Sequence, residues 1–109
     1  MLDEKYELRY LPLFYEELDR DTYYIAFNLG NPDAANNLLD KVAEAIIERL
    51  EDGPEIAAPV PSKKDRKHPY YRIYVNEYIV YYVVLEEKGK KVMEVRRFLH
   101  RLENRDEKV

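Results

Sequence analysis

The 109-residue sequence contains no cysteine, only three glycines and only two histidines. Without cysteine, disulfide scaffolds, thiol catalysis and cysteine-ligated zinc or iron–sulfur sites are excluded. Gly30, Gly53 and Gly89 lie far apart and suit turns, so there is no glycine-rich loop to bind phosphate. His68 and His100 have no further ligands at metal-binding spacing. We therefore expect neither a metal nor a cofactor.

Long apolar runs are also absent. No stretch approaches the roughly 18 apolar residues that a membrane-spanning helix needs, and residues 1–5 lack the basic start and apolar segment of a signal peptide. We expect a cytoplasmic protein that contacts no membrane. Apolar residues make up 46% of the chain and charged residues 37%, which is enough for a core. The length fits a single domain, residues 1–109, in which residues 103–109 form a polar tail.

The net charge of −4 conceals an uneven distribution. Residues 1–60 hold 5 Lys/Arg and 14 Asp/Glu, a net of −9, whereas residues 61–109 hold 13 and 8, a net of +5. A basic half can meet a polyanion, although proteins that bind nucleic acid by charge are usually basic overall. The charge alone therefore decides neither for nor against a nucleic-acid target.

Hydrophobic periodicity predicts the element order β, α, α, β, β, β. The first helix should end at Gly30, and the second should begin with Asn31 as its N-cap and Pro32 as its first residue. Three strands joined by short polar links predict an antiparallel meander. The expected fold class is α+β, with an N-terminal strand and a helical hairpin packed on an antiparallel sheet of about four strands. The predicted ranges are a strand at 6–10, helices at 13–29 and 32–52, a loop at 54–69, and strands at 70–75, 78–85 and 92–99.

Four segments stand out within this order, namely Gly30-Asn31-Pro32, Tyr71-Arg72-Ile73-Tyr74-Val75, residues 78–84, and Val95-Arg96-Arg97-Phe98-Leu99-His100. Together with the element order, they resemble the RelE/ParE superfamily of toxins. The resemblance covers roughly residues 6–106, but the glycine that follows the histidine in the ParE-like branch is Arg101 here. It implies a toxin of a type II toxin–antitoxin pair that a cognate antitoxin protein neutralises. Such a toxin either poisons DNA gyrase, as in the ParE-like branch, or cleaves mRNA on the ribosome, as in the RelE type.

Three residues are candidates for catalysis if the chain is a nuclease. Metal-free RNA cleavage needs a base, an acid and cations that stabilise the crowded phosphate. Arg72, Arg97 and His100 supply these groups and lie in or at the end of predicted strands. Cleavage requires Arg97 within a few ångströms of Arg72, and His100 close enough to exchange a proton at the same phosphate. The structural alternative is that the arginines pair with carboxylates of the second helix while His100 is solvated.

Other basic and aromatic residues are candidates for contacting nucleic acid or another target. Lys63, Lys64, Lys67 and Arg101 supply positive charge, and Tyr71 is the tyrosine best placed to stack on a base. The cations are few for a ribosome-dependent nuclease, which favours ParE-like growth inhibition through DNA gyrase. The alternatives are a RelE-type mRNA endonuclease and a non-catalytic module that binds an antitoxin. The oligomeric state stays open.

Overall fold

The chain forms a short strand, two helices and then three strands. The computed structural model describes residues 6–61 and 67–103. The predicted element order and the α+β class are confirmed. The elements are β1 (Glu7–Tyr10), α1 (Pro12–Tyr23), a π-helical turn (Tyr24–Asn28), α2 (Pro32–Asp52), β2 (Tyr71–Val75), β3 (Tyr78–Glu87) and β4 (Lys90–His100).

The four strands form one sheet in the order β1-β4-β3-β2. β2, β3 and β4 are antiparallel neighbours, as the meander predicts. β1 instead pairs with β4 in parallel, from Glu7 opposite Val92 to Tyr10 opposite Val95, so the sheet is mixed. The alternation of side chains predicts a strand but not the direction of its partner. In the sequence, both helices lie between β1 and the meander, so no short turn forces β1 to pair in an antiparallel direction.

The link between the two helices contains residues that suit the end of one helix and the beginning of the next. The side chain of Asn31 accepts a hydrogen bond from the Ala34 amide at 3.1 Å, and Pro32 is the first residue of α2. Gly30 has a φ of +64°, which glycine adopts without a Cβ clash. The first helix differs from the prediction over 24–28, where the turn is π-helical and the Leu29 amide donates to the Tyr24 carbonyl at 3.0 Å.

Among the residues that the structure describes, no helix has the length and apolar character needed to cross a membrane.

Two apolar clusters lie on opposite faces of the sheet. The larger cluster packs between the helices and the sheet, and it includes Phe14, Val42, Ile46, Val80, Tyr82 and Phe98. The smaller one consists of Val60, Ile79, Tyr81 and Leu99. Val60 brings the segment after α2 onto this second face, where its amide donates to the Tyr70 carbonyl at 2.7 Å.

Candidate functional site

The strands place two of the candidate arginines in one row on the sheet. Arg72 on β2 lies opposite Tyr81 on β3, and Tyr81 lies opposite Arg97 on β4. Residues directly opposite one another share a face, and Tyr81 belongs to the smaller cluster, on the face away from the helices. Two strand spacings separate the arginine backbones, which is about 10 Å. Both arginines are half-buried, and Tyr81 between them is fully buried.

The guanidinium of Arg97 is bound by a carboxylate of α1. Its Nη2 lies 2.6 Å from Oε2 of Glu17, and its Nε lies 3.0 Å from Oε1. These hydrogen bonds raise the pKa of Arg97 above its usual value, against the opposing effect of burial. The structural alternative for this arginine placed its partner on the second helix. The carboxylate instead comes from the first helix, because α1 crosses the edge of β4 beyond the end of β1.

Glu17 also completes the hydrogen bonding of that strand edge. Its Oε1 accepts the backbone N–H of Phe98 at 2.9 Å. β1 pairs with β4 only as far as Val95, so a side chain of α1 takes the place of a neighbouring strand here. Glu17 is only 5% exposed. One buried carboxylate therefore joins the first helix to the last strand and holds Arg97 in position.

His100 is placed on the other face of the sheet. It lies opposite Tyr78, whose ring packs against the helix-side core, and the two rings meet edge to face with centroids 5.2 Å apart. Its Nδ1 accepts the Leu102 amide at 3.1 Å, and its own amide donates to Oε1 of Glu103 at 2.8 Å. The Nδ1 acceptor role leaves Nε2 as the nitrogen that carries the proton in the neutral ring. The structure therefore brings Arg72 and Arg97 to one face and His100 to the opposite one.

A second arginine of β4 lies beside the row. Antiparallel pairing shifts register between Tyr81 and Tyr82, which lie opposite Arg97 and Val95, so Arg96 is an extra residue at a bulge. Its Nε donates to Glu94 at 2.8 Å and its Nη1 to the Tyr70 hydroxyl at 3.1 Å. The bulge lets two consecutive arginines approach the same region of the sheet.

The candidate target-binding residues that the structure describes have different surroundings. Lys63 and Lys64 lie outside the described residues, and Lys67 is exposed. Arg101 is exposed and pairs with Glu77 at the β2–β3 turn. Tyr71 is 8% exposed and stacks on Tyr82 with centroids 5.2 Å apart, so its ring packs in the helix-side core.

Arg49 and Tyr82, which the sequence patterns did not single out as site residues, connect the second helix to the sheet. Arg49 of α2 donates through Nη1 to the Arg72 carbonyl at 3.2 Å and to the Tyr82 hydroxyl at 2.8 Å. The Tyr82 hydroxyl in turn donates to the Pro54 carbonyl at 2.5 Å. Burial raises the pKa of Tyr82, although Arg49 opposes that shift. The contacts join α2 to the outer edge of β2 and to the segment that follows α2.

Glu17 was also missed, yet the sequence carried a signal for it. It follows Phe14 by three positions and precedes Leu18, so it lies within the apolar stripe of its helix. A carboxylate on a buried helical face needs a cationic or hydrogen-bonding partner. Only the parallel placement of β1, which the sequence patterns did not predict, reveals that the partner is Arg97.

A helical hairpin against one face of a four-stranded sheet, with arginines on the second and last strands, defines an α+β fold of the RelE/ParE kind. The sequence matches the family of the ParE toxin of type II toxin-antitoxin system, parDE, over residues 8–105. The chain therefore belongs to the ParE toxin family, and membership implies an antitoxin as its partner. A comparison with curated proteins finds no match.

Proposed function

We propose that this ParE-family toxin arrests growth in the cytoplasm by acting on DNA gyrase. The observation that carries the proposal is the separation of the groups that RNA cleavage would need. His100 lies on the helix side of the sheet, opposite Tyr78, while Arg72 and Arg97 share the other side. A gyrase poison has no need for these three side chains to meet at one phosphate.

The state of each group supports the same proposal. General acid–base catalysis requires a proton donor or acceptor within about 3 Å of the reacting oxygen, or one water away. The Nδ1 of His100 is already an acceptor for the Leu102 amide. The Arg97 guanidinium is held by Glu17 through two of its nitrogens. A phosphate would thus have to displace Glu17 from Arg97, and the Nδ1 of His100 cannot accept a proton while it holds the Leu102 amide.

One observation favours mRNA cleavage as a second candidate function. Arg72 and Arg97 occupy one cross-strand row, and long guanidinium side chains from positions about 10 Å apart can reach a common phosphate. In that case the Glu17 contact would be exchanged for substrate contact. This alternative requires a different source of general acid and base from His100 in its present position.

The experiment compares both activities in one set of cells. Wild type, Arg72→Ala and His100→Ala are expressed with and without the cognate antitoxin, with Lys90→Ala as an exposed control on β4. Plasmid supercoiling and mRNA breaks are then measured side by side. The proposal predicts altered supercoiling with intact mRNA in all four proteins, reversed by the antitoxin.

Two outcomes contradict the proposal. Codon-positioned mRNA breaks that disappear in Arg72→Ala or His100→Ala, and persist in Lys90→Ala, establish the nuclease. Antitoxin binding without either activity establishes a non-catalytic binding module.

A further inference from the structure

The end of α1 and the π-helical turn expose two aromatic side chains that lie side by side. Tyr23 is 63% exposed and Phe27 is 70% exposed. Their rings are in contact, with centroids 4.6 Å apart, so they form one aromatic projection from the helical hairpin. Single apolar residues scattered over a surface are ordinary, whereas a continuous apolar patch is typical of an interaction site.

The π-helical turn keeps further apolar residues near the solvent. None of its five residues, Tyr24–Asn28, is fully buried, although four of them are apolar. Turns of this kind are rare and occur often at functional sites. Apolar surface left in water costs free energy that a partner surface would recover by covering it.

A cavity lies directly beside the two rings. It has a volume of about 400 Å³ and is formed by α1, the π-helical turn and α2. The small side chains of Ala26 and Ala35 line it together with Leu39. Cavities of roughly 300–1,000 Å³ hold drug-sized molecules, so an aromatic side chain fits into this one. We call Tyr23, Phe27 and the cavity beside them the hairpin patch.

The hairpin patch carries little charge. Among the described residues that line its cavity, only Asp19 is charged. A polyanion or a highly charged peptide therefore finds few groups with which to pair. The occupant that fits is an uncharged surface that supplies an aromatic side chain.

A second copy of the chain supplies such a surface. The aromatic projection and the cavity lie side by side on one molecule. A two-fold axis between two copies then places each projection in the cavity of the other copy, and every contact is made twice. The hairpin patch is thus complementary to itself.

The exposed area agrees with a small dimer interface. A fully covered Tyr or Phe buries about 150–250 Å², so the exposed fractions of Tyr23 and Phe27 represent about 200–330 Å² per copy. A standard interface buries about 800 Å² per partner, of which a polar rim supplies a large share. The two rings therefore form the apolar centre of an interface of limited size, and we expect association to be weak and reversible.

We propose that the chain forms a two-fold symmetric dimer in which the hairpin patches of two copies pack against one another. This inference goes beyond the proposed function and does not depend on it, since association needs neither gyrase nor antitoxin. The helices cover one face of the sheet, and Arg72 and Arg97 lie on the other. The dimer therefore leaves the arginine row of each copy uncovered.

The test measures the mass of the purified full-length chain by sedimentation at concentrations from about 1 to 200 µM. We expect the mass to rise from the 13.1 kDa of one chain toward twice that value, with a Kd on the order of 10 µM. Phe27→Glu should weaken association about tenfold or more. The matched control is Tyr74→Glu, which makes the same change at an exposed aromatic residue of β2 and should alter the Kd less than about twofold.

Two further measurements separate this dimer from non-specific association. Asn36 is exposed and lines the cavity, so Asn36→Trp adds apolar surface but fills the space that the partner's ring needs. We expect Asn36→Trp to weaken the dimer, whereas non-specific apolar association would become stronger. Salt at about 1 M shortens the Debye length to about 3 Å and should leave the dimer intact, whereas it would abolish pairing of the acidic half of one copy with the basic half of another.

Several results would overturn the proposal. They are the mass of one chain at every concentration, equal weakening by Phe27→Glu and Tyr74→Glu, stronger association in Asn36→Trp, and loss of the dimer at high salt. Since Phe27, Asn36 and Tyr74 are all exposed, we expect each variant to keep the circular dichroism spectrum of the wild type. A change in mass then reports the interface and not the fold.

Discussion

Removing the Glu17 carboxylate should destabilise the fold more than removing any exposed carboxylate of α1. The Glu17 side chain is 7% exposed and that of Arg97 is 18% exposed. Glu17→Ala leaves a largely buried guanidinium without its counterion, and it also leaves the Phe98 N–H at the β4 edge without an acceptor. Both losses weaken the junction between α1 and the sheet.

The magnitude follows from these two losses. Breaking a buried ion pair by removing one partner costs about 3–5 kcal/mol, and an unsatisfied buried N–H costs about 1–3 kcal/mol. Because the two effects share one carboxylate they do not add fully, and we expect a total of about 3–5 kcal/mol. That is a large part of the roughly 5–15 kcal/mol by which a domain is stable. Glu17→Gln keeps an acceptor for Phe98 and should cost about 1–3 kcal/mol.

The assay is urea unfolding followed by far-ultraviolet circular dichroism. With an m value of about 1–3 kcal/mol/M, the loss in Glu17→Ala lowers the unfolding midpoint by about 1 M or more. Glu16→Ala, the exposed neighbour, is the control and should leave the midpoint nearly unchanged. A double variant, Glu17→Gln/Arg97→Met, should lose less stability than the sum of its single variants, because neither charge is then left buried alone.

A cost of less than about 1 kcal/mol in Glu17→Ala, the range of a surface ion pair, would contradict a buried ion pair between α1 and β4. Additive losses in the double variant would equally contradict a direct pair between Glu17 and Arg97. Confirmation would mean that loss of toxicity in Arg97→Ala reports a weakened fold and cannot by itself assign catalysis to Arg97.

Three further outcomes follow from individual contacts. Asn31→Ala removes the side-chain acceptor for the Ala34 amide and should cost about 1 kcal/mol in thermal or urea unfolding. Tyr82→Phe leaves the Pro54 carbonyl without its donor and should cost about 1–3 kcal/mol in the same assay, with little change in the circular dichroism spectrum. Burial raises the pKa of Asp21, so the folded protein holds the carboxyl proton more tightly than the unfolded chain does. The contribution of Asp21 to stability therefore falls as the pH rises from the pKa of the unfolded chain to that of the folded protein. The stability of Asp21→Asn relative to wild type should therefore increase between about pH 4 and pH 7, and a constant difference would contradict the assignment.

Local patterns predicted most of the secondary structure because the interactions that set it are local. The cap at Asn31, Pro32 at the first helical position and the left-handed Gly30 act within a few residues. The β2–β3 turn is likewise short, and its Asn76 has a φ of 52°. Such signals need no knowledge of the rest of the chain. They also supported the resemblance to RelE/ParE toxins that the family match confirms.

The arrangement of the candidate site depends on contacts distant in sequence and could not be predicted. Glu17 and Arg97 are separated by 80 positions, and they meet only because β1 pairs in parallel with β4 and ends at Tyr10. The bulge at Arg96 adds one residue to β4, which changes the face of every residue after it. A regular alternation from Val95 would have assigned the wrong face to His100. The π-helical turn over 24–28 likewise has no signature in the apolar periodicity.

We propose that this ParE-family chain acts on gyrase without RNA cleavage. The most direct measurement incubates the purified chain with DNA gyrase, ATP and relaxed plasmid, in the absence of ribosomes, and separates the DNA topoisomers on a gel. We expect the chain to inhibit supercoiling in proportion to its concentration, the antitoxin to relieve the inhibition, and His100→Ala to inhibit as strongly as the wild type. Unchanged supercoiling by a chain that still arrests growth would contradict the claim.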